Sequence, residues 1–305
     1  MAVLSIVGLT ATGKTSLAHK ALELLNQPVH FLSADSRQVY ADLPVTTGAD
    51  LPSGAQELNL HGVAFLDLDQ EWSAGQFREL GWQVFRQAED DWGDVVVVGG
   101  TGLYHQALWS TDVGWSVPPN LKLRSELDKL GVLDLQNKLK KQNLKKFSEM
   151  NQSDQLNPRR LIRAIELEMA ELPEINPPDF LGQWQQQGLT IGLTASNEWL
   201  AEKISQRVDA RFELALKEVT DNLDSLRGNS PAATSTGVRE LMALIEGQLG
   251  AEECRHLWIQ SELQYAKRQK TWWQKTKGIV WHDVFKKDWR QTALDRISIW
   301  RTQLD

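Results

Sequence analysis

Short apolar runs rich in β-branched residues recur along the first third of the chain, at Val3–Val7, Val29–Ser33 and Val95–Val98, each bounded by Gly, Asp or Ser. Between them the apolar positions fall at helical spacing, over Ser16–Leu25 and Ala74–Ala88. Runs without polar alternation belong to strands covered on both faces, so the pattern predicts a parallel sheet wrapped by helices. A fourth strand is predicted at Leu189–Thr194, after a long break. The break has helical periodicity and no convincing strand, and it is bracketed by Val117-Pro118-Pro119 and Asn176-Pro177-Pro178. Paired prolines stop helices and stiffen connections, so residues 118–185 read as an all-helical subdomain inserted into an α/β core. The core spans 1–117 and 186–305, closing with predicted helices over 197–227, 236–247 and 251–277.

The first strand runs directly into Gly8-Leu9-Thr10-Ala11-Thr12-Gly13-Lys14-Thr15, which fits G-x-x-x-x-G-K-[ST] at every fixed position, and a helical segment opens behind it at Ser16-Leu17-Ala18. This is a phosphate-binding loop (P-loop) in its required context. Glycines allow a turn whose backbone N–H groups converge on phosphate oxygens, and the helix adds its positive dipole end. Lys14 supplies a point charge and Thr15 a hydroxyl for Mg²⁺. A chance match in a glycine-rich turn is the competing explanation, and the strand, loop and helix in order speak against it. The loop does not disclose which phosphorylated ligand it holds.

Composition changes this picture little. A chain of 305 residues, 41% apolar and 24% charged, is an ordinary globular protein with room for one large core and a subdomain. The single cysteine, Cys254, excludes a disulfide framework and a cysteine-based metal site, as suits a reducing cytosol, and reads as a buried apolar side chain. The first strand begins without a basic leader, and no apolar run approaches the ~20 residues of a membrane span, so a cytoplasmic protein with no membrane partner is expected. Charge is more informative. The net charge of −7 argues against a global basic field, yet residues 119–170 hold eleven Lys/Arg against seven Asp/Glu, net +4, leaving −11 for the remainder.

Three further constellations carry chemistry. Asp35 ends the second predicted strand, at the sheet edge where the phosphate loop also sits and where ligands of open α/β sheets bind. A carboxylate there can coordinate Mg²⁺ through water, act as a general base, or simply cap a following turn. Gly99-Gly100-Thr101-Gly102 follows the third strand, where a nucleotide hydrolase would carry an Asp for Mg²⁺; here the polar group offered is the Thr101 hydroxyl. Asn157-Pro158 is a good helix start, and Arg159, Arg160 and Arg163 crowd the first two turns against the helix dipole. That segment reads equally as an anion-binding face or as a solvated face neutralised by Glu166 and Glu168. Five lysines in 138–146 extend the basic surface, and Ala266-Lys267-Arg268-Gln269-Lys270-Thr271-Trp272-Trp273 is a second basic and aromatic stretch, which either binds RNA or packs its tryptophans inward. The six histidines show no metal-ligand spacing.

Taken in order, Gly8–Thr15, Ser33-Ala34-Asp35-Ser36-Arg37-Gln38-Val39-Tyr40, Thr47-Gly48-Ala49, Gly99–Tyr104, Asn157–Glu166 and Ala266–Gln269 with Thr271-Trp272 resemble the tRNA dimethylallyltransferase (tRNA isopentenyltransferase) family over nearly the whole chain. The resemblance implies transfer of the dimethylallyl group of dimethylallyl diphosphate to the exocyclic amine of the adenosine 3′ of the anticodon. It implies a P-loop core whose helical insertion grips the tRNA anticodon stem-loop, with Mg²⁺ as cofactor, and we expect a monomer. By that likeness Gly8, Thr10, Ala11, Thr12, Gly13, Lys14 and Thr15 bind the diphosphate, Thr15 together with the metal. Arg207 and Arg211 match the family's R-x-x-x-R, with Arg211 the expected diphosphate contact. Asp35 resembles the residue that takes the amine proton, and Thr101 a position near the reacting centre. Asp35, Ser36, Arg37, Gln38, Arg159, Arg160, Leu161, Ile162, Arg163, Lys267 and Arg268 correspond to tRNA-binding positions.

Two departures stand out. Leu9 replaces the usual proline, and Thr234-Ser235-Thr236-Gly237-Val238 replaces a basic residue and a Gly-Tyr pair, which bears on tRNA contact rather than on transfer. An adenylate isopentenyltransferase acting on free nucleotide would share the loop and the carboxylate but has less use for a basic insertion. An ATP-dependent small-molecule kinase also fits a P-loop with a carboxylate after the second strand. An RNA-binding protein with a decayed site is opposed by the intact Gly13-Lys14-Thr15 and Asp35.

Overall fold

A computed structural model describes residues 1–49, 59–182, 187–228 and 230–304. Six strands form one sheet: β1 Val3–Gly8, β2 Val29–Ser33, β3 Asn59–His61, β4 Asp94–Gly99, β5 Leu189–Thr194 and β6 Ile279–Asp283. Their order is β3-β2-β4-β1-β5-β6, and every neighbouring pair is parallel. The four predicted strands are the four inner ones. β3 and β6 are the edges: Asn59-Leu60-His61 is short and polar, which hides it from the pattern, while β6 is mostly half-buried and its apolar start, Ile279-Val280-Trp281, is a missed signal.

Helices cover the sheet. On one face Leu4, Ile6, Leu189, Ile191 and Leu193 share a core with Leu17 and Ala18 of α1 (Lys14–Ala21) and with Ala293 and Ile297 near the C-terminus. After the short α2 (Pro44–Thr47), α3 (Ala74–Asp90) and α4 (Gly102–Leu108) pair. Phe77 stacks on Tyr104 at 4.5 Å, and the Trp82 indole donates to the Leu108 carbonyl at 2.9 Å. A capping box at Ser73 and Gln76 starts α3. Past the insertion come α10 (Asn197–Asp221), α11 (Leu223–Leu226), α12 (Val238–Ile245), α13 (Ala251–Trp273) and α14 (Trp289–Thr302). The last helix lies beyond those the sequence pattern predicts, although Ala293, Ile297 and Trp300 keep helical spacing. It is clamped to the sheet by buried Asp94, which accepts from Arg301 Nε at 2.8 Å and from the Ala2 N–H at 2.6 Å.

The chain divides into two compact units, Met1–Trp109 with Pro178–Asp305, and Ser110–Pro177. The paired prolines 118–119 thus lie inside the second unit and Pro177 ends it; the expected boundary at 185–186 lies outside the described residues. The second unit holds α5 (Leu121–Leu127), α6 (Val132–Gln142), α7 (Leu144–Glu149), α8 (Gln152–Gln155) and α9 (Pro158–Met169), and no strand among its described residues. Its core is Leu127, Leu135, Leu139, Phe147, Leu161, Ile162, Ala164 and Ile165. Asn157 caps α9 through the Arg159 N–H, as its sequence predicts.

Candidate active site

The phosphate loop leaves the central strand β1 at Gly8, whose φ of +127° and close approach to Leu193 leave no space for a side chain: a Cβ would stand 2.1 Å from the Leu193 carbonyl oxygen. Ala11 also takes left-handed backbone, φ +61°, which strains a non-glycine by about 1 kcal/mol or more and is typical of functional loops. Leu9 does more than line the turn: its side chain is buried in the main core, and its carbonyl accepts from both the Thr12 hydroxyl and Lys14 Nζ at 2.7 Å. The loop is thereby rigid at one carbonyl and keeps its lysine folded inward.

A cavity of about 550 Å³ opens here. Thr10, Ala11, Gly13, Lys14 and Thr15 line it, together with Asp35, Arg207 and Arg211. Burial lowers the Lys14 ammonium to about 8, although the Asp35 charge works the other way. Burial pushes the Asp35 carboxyl above its ordinary range, against the Arg37 N–H and the Lys14 and Arg37 charges. Asp35 Oδ1 accepts the Arg37 N–H at 2.9 Å, closing a turn, while Oδ2 accepts no hydrogen bond among the described residues. Turn-capping and proton acceptance are therefore compatible at this residue. Thr101 is brought to the same place, its Oγ accepting the Ser36 N–H at 3.2 Å.

Arg211 flanks the loop of Gly48, and Arg207 donates to the Thr10 hydroxyl at 2.8 Å and to Glu262 at 2.7 Å. Glu262, Tyr265 and Gln269 line the cavity from α13; the sequence singles out Gln269 only as part of the Ala266–Trp273 stretch, and Glu262 and Tyr265 not at all. For Glu262 and Tyr265 the sequence signal is the three- and four-residue spacing that runs from Glu262 through Tyr265 to Gln269 on one helix. Thr236, within the departing Thr234–Val238 stretch, also lines the cavity and donates to Glu262 at 3.3 Å. Thr15 lines the cavity, and no group of three His, Cys, Asp or Glu among the described residues could hold a metal ion. That donor set fits Mg²⁺ held chiefly by diphosphate oxygens and water, which needs only one or two protein oxygens.

The expected tRNA-binding residues divide. Ser36, Arg37 and Gln38 are half-buried; Arg37 reaches the Pro231 carbonyl, and Gln38 donates to the Gly48 carbonyl at 2.7 Å. Lys267 and Arg268 are exposed. Trp273 turns inward onto His105, whereas Trp272 lies against Gly102. Within the helical unit, Leu161 and Ile162 turn their side chains into the core. Arg163 is likewise committed, to Glu166 and to the Gly114 and Val117 carbonyls. Arg160 pairs with Asp154 at 2.9 Å on the surface, and Arg159 is exposed.

Comparison with known proteins bears on this geometry. The family model described as IPP transferase matches residues 38–276. A tRNA dimethylallyltransferase of Streptococcus gordonii is 30% identical over 300 residues, covering 97% of each chain. The tRNA dimethylallyltransferase 1 of Syntrophotalea carbinolica is 32% identical over 292 residues, 93% of this chain and 91% of that one. Among solved structures, a tRNA delta(2)-isopentenylpyrophosphate transferase of Staphylococcus epidermidis superposes with a TM-score of 0.69 at 26% identity, covering 100% of both chains.

Proposed function

The chain belongs to the IPP transferase family, and from that premise we propose that it transfers the dimethylallyl group of dimethylallyl diphosphate to the exocyclic amine of the adenosine 3′ of the anticodon in tRNA. One observation carries the reading: a phosphate loop, two arginines and a carboxylate held above its ordinary pKa range meet in one cavity. An adenine amine is a poor nucleophile because its lone pair is delocalised into the ring. Its attack therefore depends on a departing group already stabilised and on a base within reach.

In the reaction the amine nitrogen bonds to the allylic carbon, the carbon–oxygen bond to diphosphate breaks, and the electron pair leaves with the diphosphate. Lys14, Arg211 and the N–H groups of Ala11 to Thr15 bind the diphosphate and its growing charge, the Thr10 N–H being held by Gln269. Asp35 accepts the amine proton, for which its raised pKa suits it. Thr101 holds the Ser36 N–H beside it. Mg²⁺, held by Thr15, would supply further charge neutralisation to the leaving diphosphate. On the RNA side, Ser36, Arg37, Gln38, Arg159, Arg160, Lys267 and Arg268 contact tRNA, with Arg163, Leu161 and Ile162 supporting α9 from within.

The test is incubation with total tRNA and labelled dimethylallyl diphosphate, followed by nucleoside analysis. Label in isopentenyladenosine is the expected result. Efficient labelling of AMP with none in tRNA would replace this reading by that of a free-nucleotide enzyme.

A further inference from the structure

Helix α13 turns a polar stripe towards the loops of the site. Glu262, Tyr265 and Gln269 lie three and four residues apart and so share a face. Between them they reach two loops, the phosphate loop and the turn after β4. Glu262 binds Arg207, which holds the Thr10 hydroxyl. The Tyr265 hydroxyl lies 3.5 Å from Thr101 Oγ, and burial raises its pKa, so it stays protonated. Gln269, only 4% exposed, accepts the Thr10 N–H at 2.7 Å across 259 positions of sequence. On its other side a Cβ at Gly100 would stand 1.9 Å from Gln269 Nε2. The glycine vacates the space that the amide fills, so Gln269 is wedged between the phosphate loop and the turn that follows β4.

We propose that Gln269 is a positioning residue that fixes the phosphate loop against the Gly99–Thr101 turn, and so sets the separation between the leaving diphosphate and the Asp35 side of the cavity. The inference rests on the proposed transfer reaction. Both parts are loops that leave the paired strands β1 and β4, with the Leu9 N–H on the Leu193 carbonyl and the Thr101 N–H on the Ala34 carbonyl. Nucleophile and allylic carbon must meet within ~3.5 Å and in line, where a misplacement of about 1 Å costs on the order of 100-fold. The Thr10 N–H is committed to this amide rather than to a phosphate, and the amide carries no charge. Loss of Gln269 is therefore expected to spare diphosphate binding and slow the transfer.

The test is a double-mutant cycle on the full chain: Gln269→Ala, Gly100→Ala and both together, measured by single-turnover transfer at saturating substrates, by Kd for dimethylallyl diphosphate, and by Tm. Each single variant is expected to slow transfer about tenfold or more while shifting the diphosphate Kd by less than about threefold. The double variant should be no slower than the slower single, because an alanine at 100 and the loss of the amide break the same wedge. Gln269→Met, which keeps the volume but not the hydrogen bond, should be slow with little change in Tm. Wild-type rates for Gln269→Ala, or losses that multiply in the double variant, overturn the inference alone. A wild-type protein that transfers nothing to tRNA overturns the proposed function and this inference with it.

Discussion

Asp35 in the cavity and Glu166 in the helical unit are the same functional group under opposite treatment. Glu166 is 2% exposed and Asp35 is half-buried, and at both residues burial works against the charge. Hydrogen bonds from Arg124, Arg163 and the Asn120 N–H outweigh that burial and hold its carboxyl at about 2. Asp35 receives a single N–H, and there burial wins, so its pKa rises. A carboxylate given three donors is built to remain charged and to organise cations. One given a single donor beside an open cavity is built to exchange a proton. Substitutions in the first region should cost stability, and in the second, rate.

The largest effect is expected on the rate side, at the loop that faces Asp35. Lys14→Ala should lower kcat/KM by about 10²–10³-fold, through both diphosphate affinity and transfer, with Tm little changed. Activity that survives this substitution and excess chelator would remove the phosphate loop from the reaction.

Next in size is Glu166→Gln. It leaves Arg124 and Arg163 without their anion, and denaturant unfolding should report a loss of about 2–4 kcal/mol. The pH dependence has a definite sign. A depressed carboxyl contributes stability that is fully present above its unfolded value near 4.5 and is lost as pH falls towards 2. Stability insensitive to both would mean that the Glu166 cluster holds nothing together.

The three arginines of α9 sharpen the contrast. Arg163→Gln should behave like the Glu166 variant, as a stability defect, whereas Arg159→Gln with Arg160→Gln should raise KM for tRNA and leave dimethylallyl diphosphate binding unchanged. Removing one arginine from an RNA phosphate should flatten the log–log salt dependence of tRNA binding by roughly 0.7–0.9. A KM effect confined to Arg163 would reverse the division drawn here.

The smallest expected effect is on binding near neutral pH. Lys14 titrates at about 8 in the free protein. Diphosphate affinity should hold level below that pH and fall by at most about tenfold per unit above it. Calorimetry in buffers of different ionisation enthalpy should show proton uptake on binding near pH 8.

How legible each part is in the sequence follows from what fixes it. The phosphate loop is legible because its glycine pattern encodes a backbone shape, and Asp35 because the carboxyl end of a strand is where such sheets bind ligands. Arg163 is equally visible as a cation at a helix start. Its capture by Glu166, Gly114 and Val117 depends on how the segments pack, which spacing does not state. Gln269 meets Thr10 only through tertiary folding, so nothing local to either residue announces the contact. The edge strand β3 is short and polar because only one neighbour pairs with it, whereas β6 does carry an apolar start, Ile279-Val280-Trp281.

The central claim is that Asp35 exchanges the amine proton, and single-turnover transfer by Asp35→Asn across pH tests it most directly. Asparagine keeps the size and an oxygen for the Arg37 N–H, but it cannot take a proton. The account predicts that wild type speeds up as pH climbs through the raised Asp35 pKa, and that the variant loses this rise, runs at least about 10² below wild type at saturating substrates and binds diphosphate unchanged. A near-normal rate with the same acid limb would contradict it.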